Sequence, residues 1–374
     1  MKNVYFDNAS TTPIYSEVIE EMIITLRNDF GNPSSSHSFG RAAKSVLELS
    51  RKKISNYLNC ASQEIIFTST ATEANNWILN TAVNDLKVQK IITTKIEHHA
   101  VLEVIKQLNL NSNIEVEYLK LDKNGNIDYS HLVLALQTDK KTLVSLMHIN
   151  NEIGTQLDID KTSRICKQHG ALFHSDMVQS VGKIQINLSE IALDFMVASA
   201  HKFHGPKGVG FAFIRKGLHI NPVMVGGEQE KGLRAGTESV HNIVAMAMAL
   251  EISYKNLNQN ALYIAELKQY CNLKLKESFT DCIFIGDKTS KIGILNVLFP
   301  SLTYKSSLLL FALDLKGIAV SRGSACQSGS SQASHVLSEI IDNEQLNIPN
   351  IRISFSHFNT FAEIDYFVET LKNI

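Results

Sequence analysis

The sequence predicts an α/β fold with two parts: a large domain on a mostly parallel sheet flanked by helices, and a smaller α+β domain. Three observations carry that prediction. Between residues 62 and 215, short β-rich apolar runs alternate with helix-length amphipathic stretches, the rhythm of βαβ units with both sheet faces covered. Polar residues bunch directly after the runs: Ser69-Thr70, His98-His99, Asn150-Asn151, Asp176 and His201-Lys202. Near residue 250 the rhythm gives way to a long helical pattern.

The runs are 65–67, 90–93, 116–121, 143–149, 171–174, 195–198 and 208–214, each short and bounded by polar or turn residues. Candidate helices 73–83, 100–108, 129–136 and 159–169 lie between them. In open α/β sheets ligands bind beyond the carboxyl ends of the strands, so the polar bunches are expected to converge. Residues 240–276 read as one long helix, on which a smaller domain hinges, with strands at 292–298, 319–321 and 351–355. We expect residues 16–250 to form the large domain, and 1–15 with 251–374 the small one. Residues 321–334 hold six serines and two glycines in fourteen positions around Cys326, a composition that predicts a mobile loop.

Composition excludes several classes. The 374 residues carry 36 Lys plus Arg against 37 Asp plus Glu, a formal net charge of −1. That balance argues against a protein that grips nucleic acid along a broad basic face. No apolar stretch reaches the roughly 18 residues of a membrane span, and MKNVYFDNASTTP has no secretory-signal pattern, so a soluble cytoplasmic protein is expected. Cys60, Cys166, Cys271, Cys282 and Cys326 form no CxxC pair. This fits a reducing compartment and disfavours a disulfide framework or structural zinc.

Candidate chemistry gathers in a few segments. In SAHKFHGPKG, Lys202 follows an apolar run, where desolvation would favour a nucleophilic amine suited to a Schiff base; a solvated basic loop is the alternative. His201 and His204, or His98 and His99, lack the HExxH spacing of a metal site. Asp176 at a strand end can hold a pyridine nitrogen protonated, or simply cap a helix. Ser69 to Glu73 can cradle a phosphate at a helix start, or only cap it.

Ten ordered motifs join these segments: FDNASTTP (6–13), GNPSSSH (31–37), FTSTATEANN (67–76), EHHAV (97–101), NNEIGTQ (150–156), FHSDMVQSVGK (173–183), SAHKFHGPKGVG (199–210), GGEQEKGLRAGTE (226–238), SRGSACQSG (321–329) and IRISFSHFNT (351–360). Together they resemble the cysteine desulfurases, fold-type I pyridoxal-phosphate enzymes of aminotransferase class V. The resemblance is narrower to those with an extended cysteine loop, which feed iron–sulfur cluster assembly and tRNA thiolation.

The resemblance implies residue roles. Lys202 matches the Schiff-base lysine, and His98 the histidine stacked on the cofactor ring that assists proton transfer. Asp176 matches the partner of the pyridine nitrogen, and Gln179 that of the ring phenolate oxygen. Thr72, Ser199 and His201 align with phosphate ligands, and Thr237 with one supplied by the second subunit of a homodimer. Asn151, also a cofactor neighbour, and Arg352 fall where the substrate carboxylate is held. Cys326 aligns with the nucleophile that takes sulfur from L-cysteine as a persulfide, releasing L-alanine, before delivery to an acceptor protein. Another pyridoxal-phosphate lyase or aminotransferase, such as a selenocysteine lyase, and a non-catalytic sulfur-transfer partner are the alternatives. Four departures stand out: Thr70 where glycine is usual, which predicts crowding of the phosphate turn; Ser10 for alanine; Ser175, Met177 and Val178 around Asp176; and Ala333 for proline.

Overall fold

The computed structural model describes residues 3–287, 290–305, 308–323 and 334–374. Strand β1 (Val4–Tyr5) leads into helices α1 (Ser16–Asn28) and α2 (Ser38–Leu58). Then come β2 (Ile65–Thr68), α3 (Ala71–Asn84), β3 (Lys90–Thr93), α4 (His99–Ser112), β4 (Glu115–Tyr118) and α5 (Tyr129–Ala135). The alternation continues through β5 (Thr142–Ser145), α6 (Ile159–Gln168), β6 (Leu172–Asp176), β7 (Phe195–Ser199) and β8 (Gly210–Ile214). Helices α7 (Val240–Lys255) and α8 (Leu257–Ser278) precede β9 (Ile283–Ile285), β10 (Ile294–Leu298), α9 (Leu309–Leu315), β11 (Ile318–Ala319), β12 (Asn350–Ser354) and α10 (Phe361–Lys372).

Strands β2 to β8 form one sheet in the order β2-β8-β7-β6-β5-β3-β4. Only β8 runs against its neighbours; the remaining six point the same way. The mostly parallel sheet expected from the sequence is thus present, with every predicted run contributing a strand. Its burial follows the two-residue period of a strand. Ile65 and Phe67 of β2, like Met196 and Ala198 of β7, enter a core with Leu47, Ile54, Met246 and Leu250 of the α2/α7 layer. Ile66, Phe195 and Val197 enter the opposite core with Trp77, Ile78, Val101 and Ile105 of α3 and α4. A sheet buried on both faces needs such continuous apolar runs.

A third core gathers Val4 and Phe6 with Leu267, Leu275, Val297, Ile353 and Phe367. It packs around the antiparallel β12-β10-β9 sheet and the parallel β1-β11 pair. The single long helix read over 240–276 is instead two helices, broken at Asn256, where the backbone leaves helical geometry (φ −104°, ψ 11°). The Asn256 side chain donates to Ile252 O at 3.0 Å, a local bond that competes with helix continuation. Among the described residues no helix is long and apolar enough to cross a membrane. Most of the predicted serine-rich loop, residues 324–333, lies outside the described residues, as does Ala333.

Candidate active site

The polar bunches converge as the strand-end argument requires. They line one cavity of about 250 Å³ beyond the carboxyl ends of β2, β5, β6 and β7. Thr72, His98, Asn151, Asp176, Gln179, Ser199, His201, Lys202 and Arg352 all lie on its wall. Of the predicted site residues, Thr237 is exposed and does not line the cavity. Cys326 lies outside the described residues.

Lys202 ends a short 3₁₀ turn after β7, and its Nζ donates to Ala9 O at 2.7 Å and Ser10 O at 2.8 Å. The same stretch of chain is pinned by Thr12 N donating to His201 O at 2.9 Å. Asp176 accepts from Asn75 Nδ2 at 2.8 Å and from Val178 N at 3.0 Å, bonds that fix both carboxylate oxygens. Asn75, one turn into α3, has no role in the sequence reading. Its place four residues after Ala71, on the turn nearest the strand ends, is the signal that finds it.

His98 caps α4, its Nδ1 accepting from Ala100 N at 3.1 Å. The neutral ring therefore carries its proton on Nε2. Burial lowers the His98 pKa; the Asp176 carboxylate opposes this and Lys202 adds to it. Burial likewise pushes His201 down to about 4, helped by Lys202, Lys207 and Lys183. Both rings are neutral near pH 7. The adjoining Glu97 is wholly enclosed, and burial raises its carboxyl to about 8.

The α3 terminus explains Thr70. Its Oγ1 accepts from Glu73 N at 3.1 Å, an N-cap bond, and its extended backbone (φ −157°, ψ 164°) demands no glycine. The threonine thus lines the cavity as a cap. Glu73 in turn accepts from Ser69 N and Oγ, and from Arg234 Nε at 2.9 Å. Burial opposes ionisation of Glu73, but these bonds outweigh it and hold the carboxyl below the usual range. Thr70→Ala is expected to cost about 1 kcal/mol and Thr70→Gly only a few tenths, read as urea midpoints at unchanged m. Equal losses would show that the cap bond contributes nothing.

Arg352 of β12 is almost fully buried. Its Nη2 donates to Asp7 Oδ1 at 2.7 Å and Ser10 Oγ at 2.6 Å, and its Nη1 to Asn151 O at 3.1 Å. Among the described residues its buried Nε has no hydrogen-bond partner. Ser10, a departure from the usual alanine, also donates to Asp7 Oδ1 at 2.8 Å, so the extra hydroxyl ties the pair together. Glu152, next to Asn151, bonds one flank of the Cys326 segment and lies close to the other. Ser334 Oγ donates to its Oε2 at 2.5 Å, and a Cβ added to Gly323 would lie 2.8 Å from that oxygen.

The aminotransferase class-V sequence profile matches residues 4–367. The cysteine desulfurase IscS of Dictyoglomus turgidum is 40% identical over 375 residues, covering 100% of this chain and 94% of that protein. A solved NifS-like protein is 37% identical with a TM-score of 0.91, covering 100% of this chain and 99% of its own. The structure of SspA in complex with cysteine is 27% identical with a TM-score of 0.79, covering 94% of this chain and 98% of its own. A profile spanning nearly every residue and a relative this similar from end to end make the chain a member of the aminotransferase class-V family, among its cysteine desulfurases.

Proposed function

We propose that the chain converts L-cysteine to L-alanine with pyridoxal 5′-phosphate, passing the sulfur through Cys326 to an acceptor protein of iron–sulfur cluster assembly or thiolation. The observation that carries this is the meeting of Lys202, Asp176, His98 and Arg352 at one cavity. The donor set fits the cofactor: an amine for its aldehyde, a fixed carboxylate for its ring nitrogen, and hydroxyls at a helix start for its phosphate. The partnerless Arg352 Nε fits a substrate carboxylate.

Lys202 would hold the cofactor covalently, with Asp176 at the ring nitrogen, Gln179 at the ring oxygen, His98 on the ring face, and Thr72, Ser199 and His201 at the phosphate. Bound there, the cofactor supplies an electron sink for the bond broken at the substrate α-carbon. Lys202 Nζ takes the α-proton and returns it, and Asp176 keeps a proton on the ring nitrogen. Arg352 and Asn151 grip the substrate carboxylate. The Cys326 thiolate attacks the substrate sulfur: an S–S bond forms, the Cβ–S bond breaks, and protons complete alanine. L-cysteine plus thiol thus becomes L-alanine plus persulfide, with no outside oxidant.

Burial supports Cys326 as the nucleophile. It pushes the Cys60 and Cys166 thiols up to about 12 and raises Cys271 and Cys282, so these four stay protonated. We further propose two domains, residues 16–250 and residues 1–15 with 251–374, in a cytoplasmic homodimer. Exposed Ile19, Ile23, Ile24 and Leu26 on α1, with Phe30 and Phe39, offer an apolar face for a second copy, to which Thr237 would reach.

The test is turnover of L-cysteine with a thiol reductant, measuring alanine and sulfide. Cys326→Ala is expected to lower sulfide release at least about 100-fold while the bound cofactor keeps its visible absorbance. Undiminished sulfide from that variant would refute the role of Cys326.

A further inference from the structure

Lys183 closes the motif FHSDMVQSVGK, and the proposed chemistry leaves it unused. It does not line the cavity; it stands behind Gln179, which does. Its Nζ donates to Gln179 Oε1 at 2.7 Å, and Gln179 Nε2 donates to Ala9 O at 2.8 Å. Ala9 O also accepts from Lys202 Nζ. Two lysines and a carboxamide therefore form one chain of hydrogen bonds ending at the proposed Schiff-base amine.

The backbone builds this arrangement. After β6 the chain makes a helical turn, with Val181 N donating to Met177 O and Ile184 N to Ser180 O, which sets positions 179 and 183 on one face. Gly182 follows at φ +77°, and a Cβ there would lie 2.6 Å from Cβ of Phe203, the residue after Lys202. Glycine lets the turn dock against the Lys202 segment, and Lys183 is carried in with it.

An amide side chain has a donor end and an acceptor end, and an ammonium can only donate. With Oε1 engaged by Lys183, Gln179 must present its NH₂ toward Ala9 and the cavity. One of its two hydrogens goes to Ala9 O, leaving the other for a ligand. Lys183 also sits among cations: burial, Lys202 and Arg352 lower its pKa to about 7. It carries its charge at and below neutral pH, where it depresses His201 and His204, and above that pH its neutral amine can still donate to Gln179 Oε1.

Resting on the pyridoxal-phosphate reading above, we propose that Lys183 is a positioning residue that locks the Gln179 amide as a donor toward the cofactor ring and adds positive potential beside Lys202. The experiment titrates the visible absorbance of the bound cofactor against pH in wild type, Lys183→Met and Lys183→Arg, with cofactor content measured for each. Losing a nearby cation favours the protonated chromophore. A freed amide that turns its oxygen toward the ring phenolate acts in the same direction. The midpoint is therefore expected to rise by roughly one pH unit in Lys183→Met, and to return toward wild type in Lys183→Arg. If Lys183→Met does not fold, Lys183→Gln, which removes the charge and replaces the donor-only ammonium with an amide, is expected to raise the midpoint as well.

A folded, cofactor-loaded Lys183→Met or Lys183→Gln variant whose midpoint matches wild type would overturn the inference. Equal shifts in Lys183→Met and Lys183→Arg would do so too, marking a packing role. Wild-type protein that takes up no cofactor would instead overturn the underlying reading, so the two failures are distinguishable.

Discussion

Lys202→Ala is expected to reduce alanine formation from L-cysteine by at least about 10⁴-fold, because the proposed function makes one residue both the covalent anchor and the base at the α-carbon. The visible absorbance of the lysine-bound cofactor should vanish, while cofactor added in excess still associates through Asp176, His98 and the α3 terminus. The fold should survive. Lys202 is only partly buried, and the Ala9 carbonyl keeps its bond from Gln179. Persistence of the absorbance in a folded variant would show that another amine, Lys183 being the near candidate, binds the aldehyde.

Arg352→Ala has the second large effect, and it acts on both binding and stability. The side chain is 1% exposed and its partner Asp7 is 17% exposed, so truncation strands a carboxylate in a poorly solvated place. Breaking one side of such a pair costs about 3 kcal/mol, seen as a lower melting temperature. Loss of the proposed charged contact to the substrate, worth about 1.5–3 kcal/mol, should raise KM for L-cysteine roughly 10- to 100-fold. Arg352→Lys keeps the charge but not the planar fork, so it should recover more of the stability than of the affinity. An unchanged KM in Arg352→Ala would remove Arg352 from substrate binding.

The sheet was readable because strands buried on both faces are apolar on both, as 65–67 and 195–198 are throughout and Ile91-Ile92 are at the centre of β3. The convergence of Lys202, Asp176 and His98 followed from strand direction alone. Other features had no local signature. Asn256 breaks a helix with a side-chain bond that periodicity does not register. Asp7 and Ser10 matter because they meet Arg352, a partnership across more than 300 residues that no window of sequence exposes. Thr70 looked like an obstruction when judged by bulk; its hydroxyl, aimed at Glu73 N, makes it a cap. Lys183 was visible only as the last letter of a motif until its bond to Gln179 was seen.

The tie between Asp7 and Arg352 bears on how the molecule comes into being. The Ala9 and Ser10 carbonyls that hold Lys202 are made well before Ser354, whose Oγ accepts from Ala9 N at 2.8 Å across 345 residues of chain. The large sheet can pack before β12 is made, but the wall of the pocket closes only once β12 has been synthesised. Capture of the proposed cofactor would therefore follow synthesis of β12. A ribosome-stalled chain ending before residue 350 should be protease-resistant across β2 to β8 and still colourless.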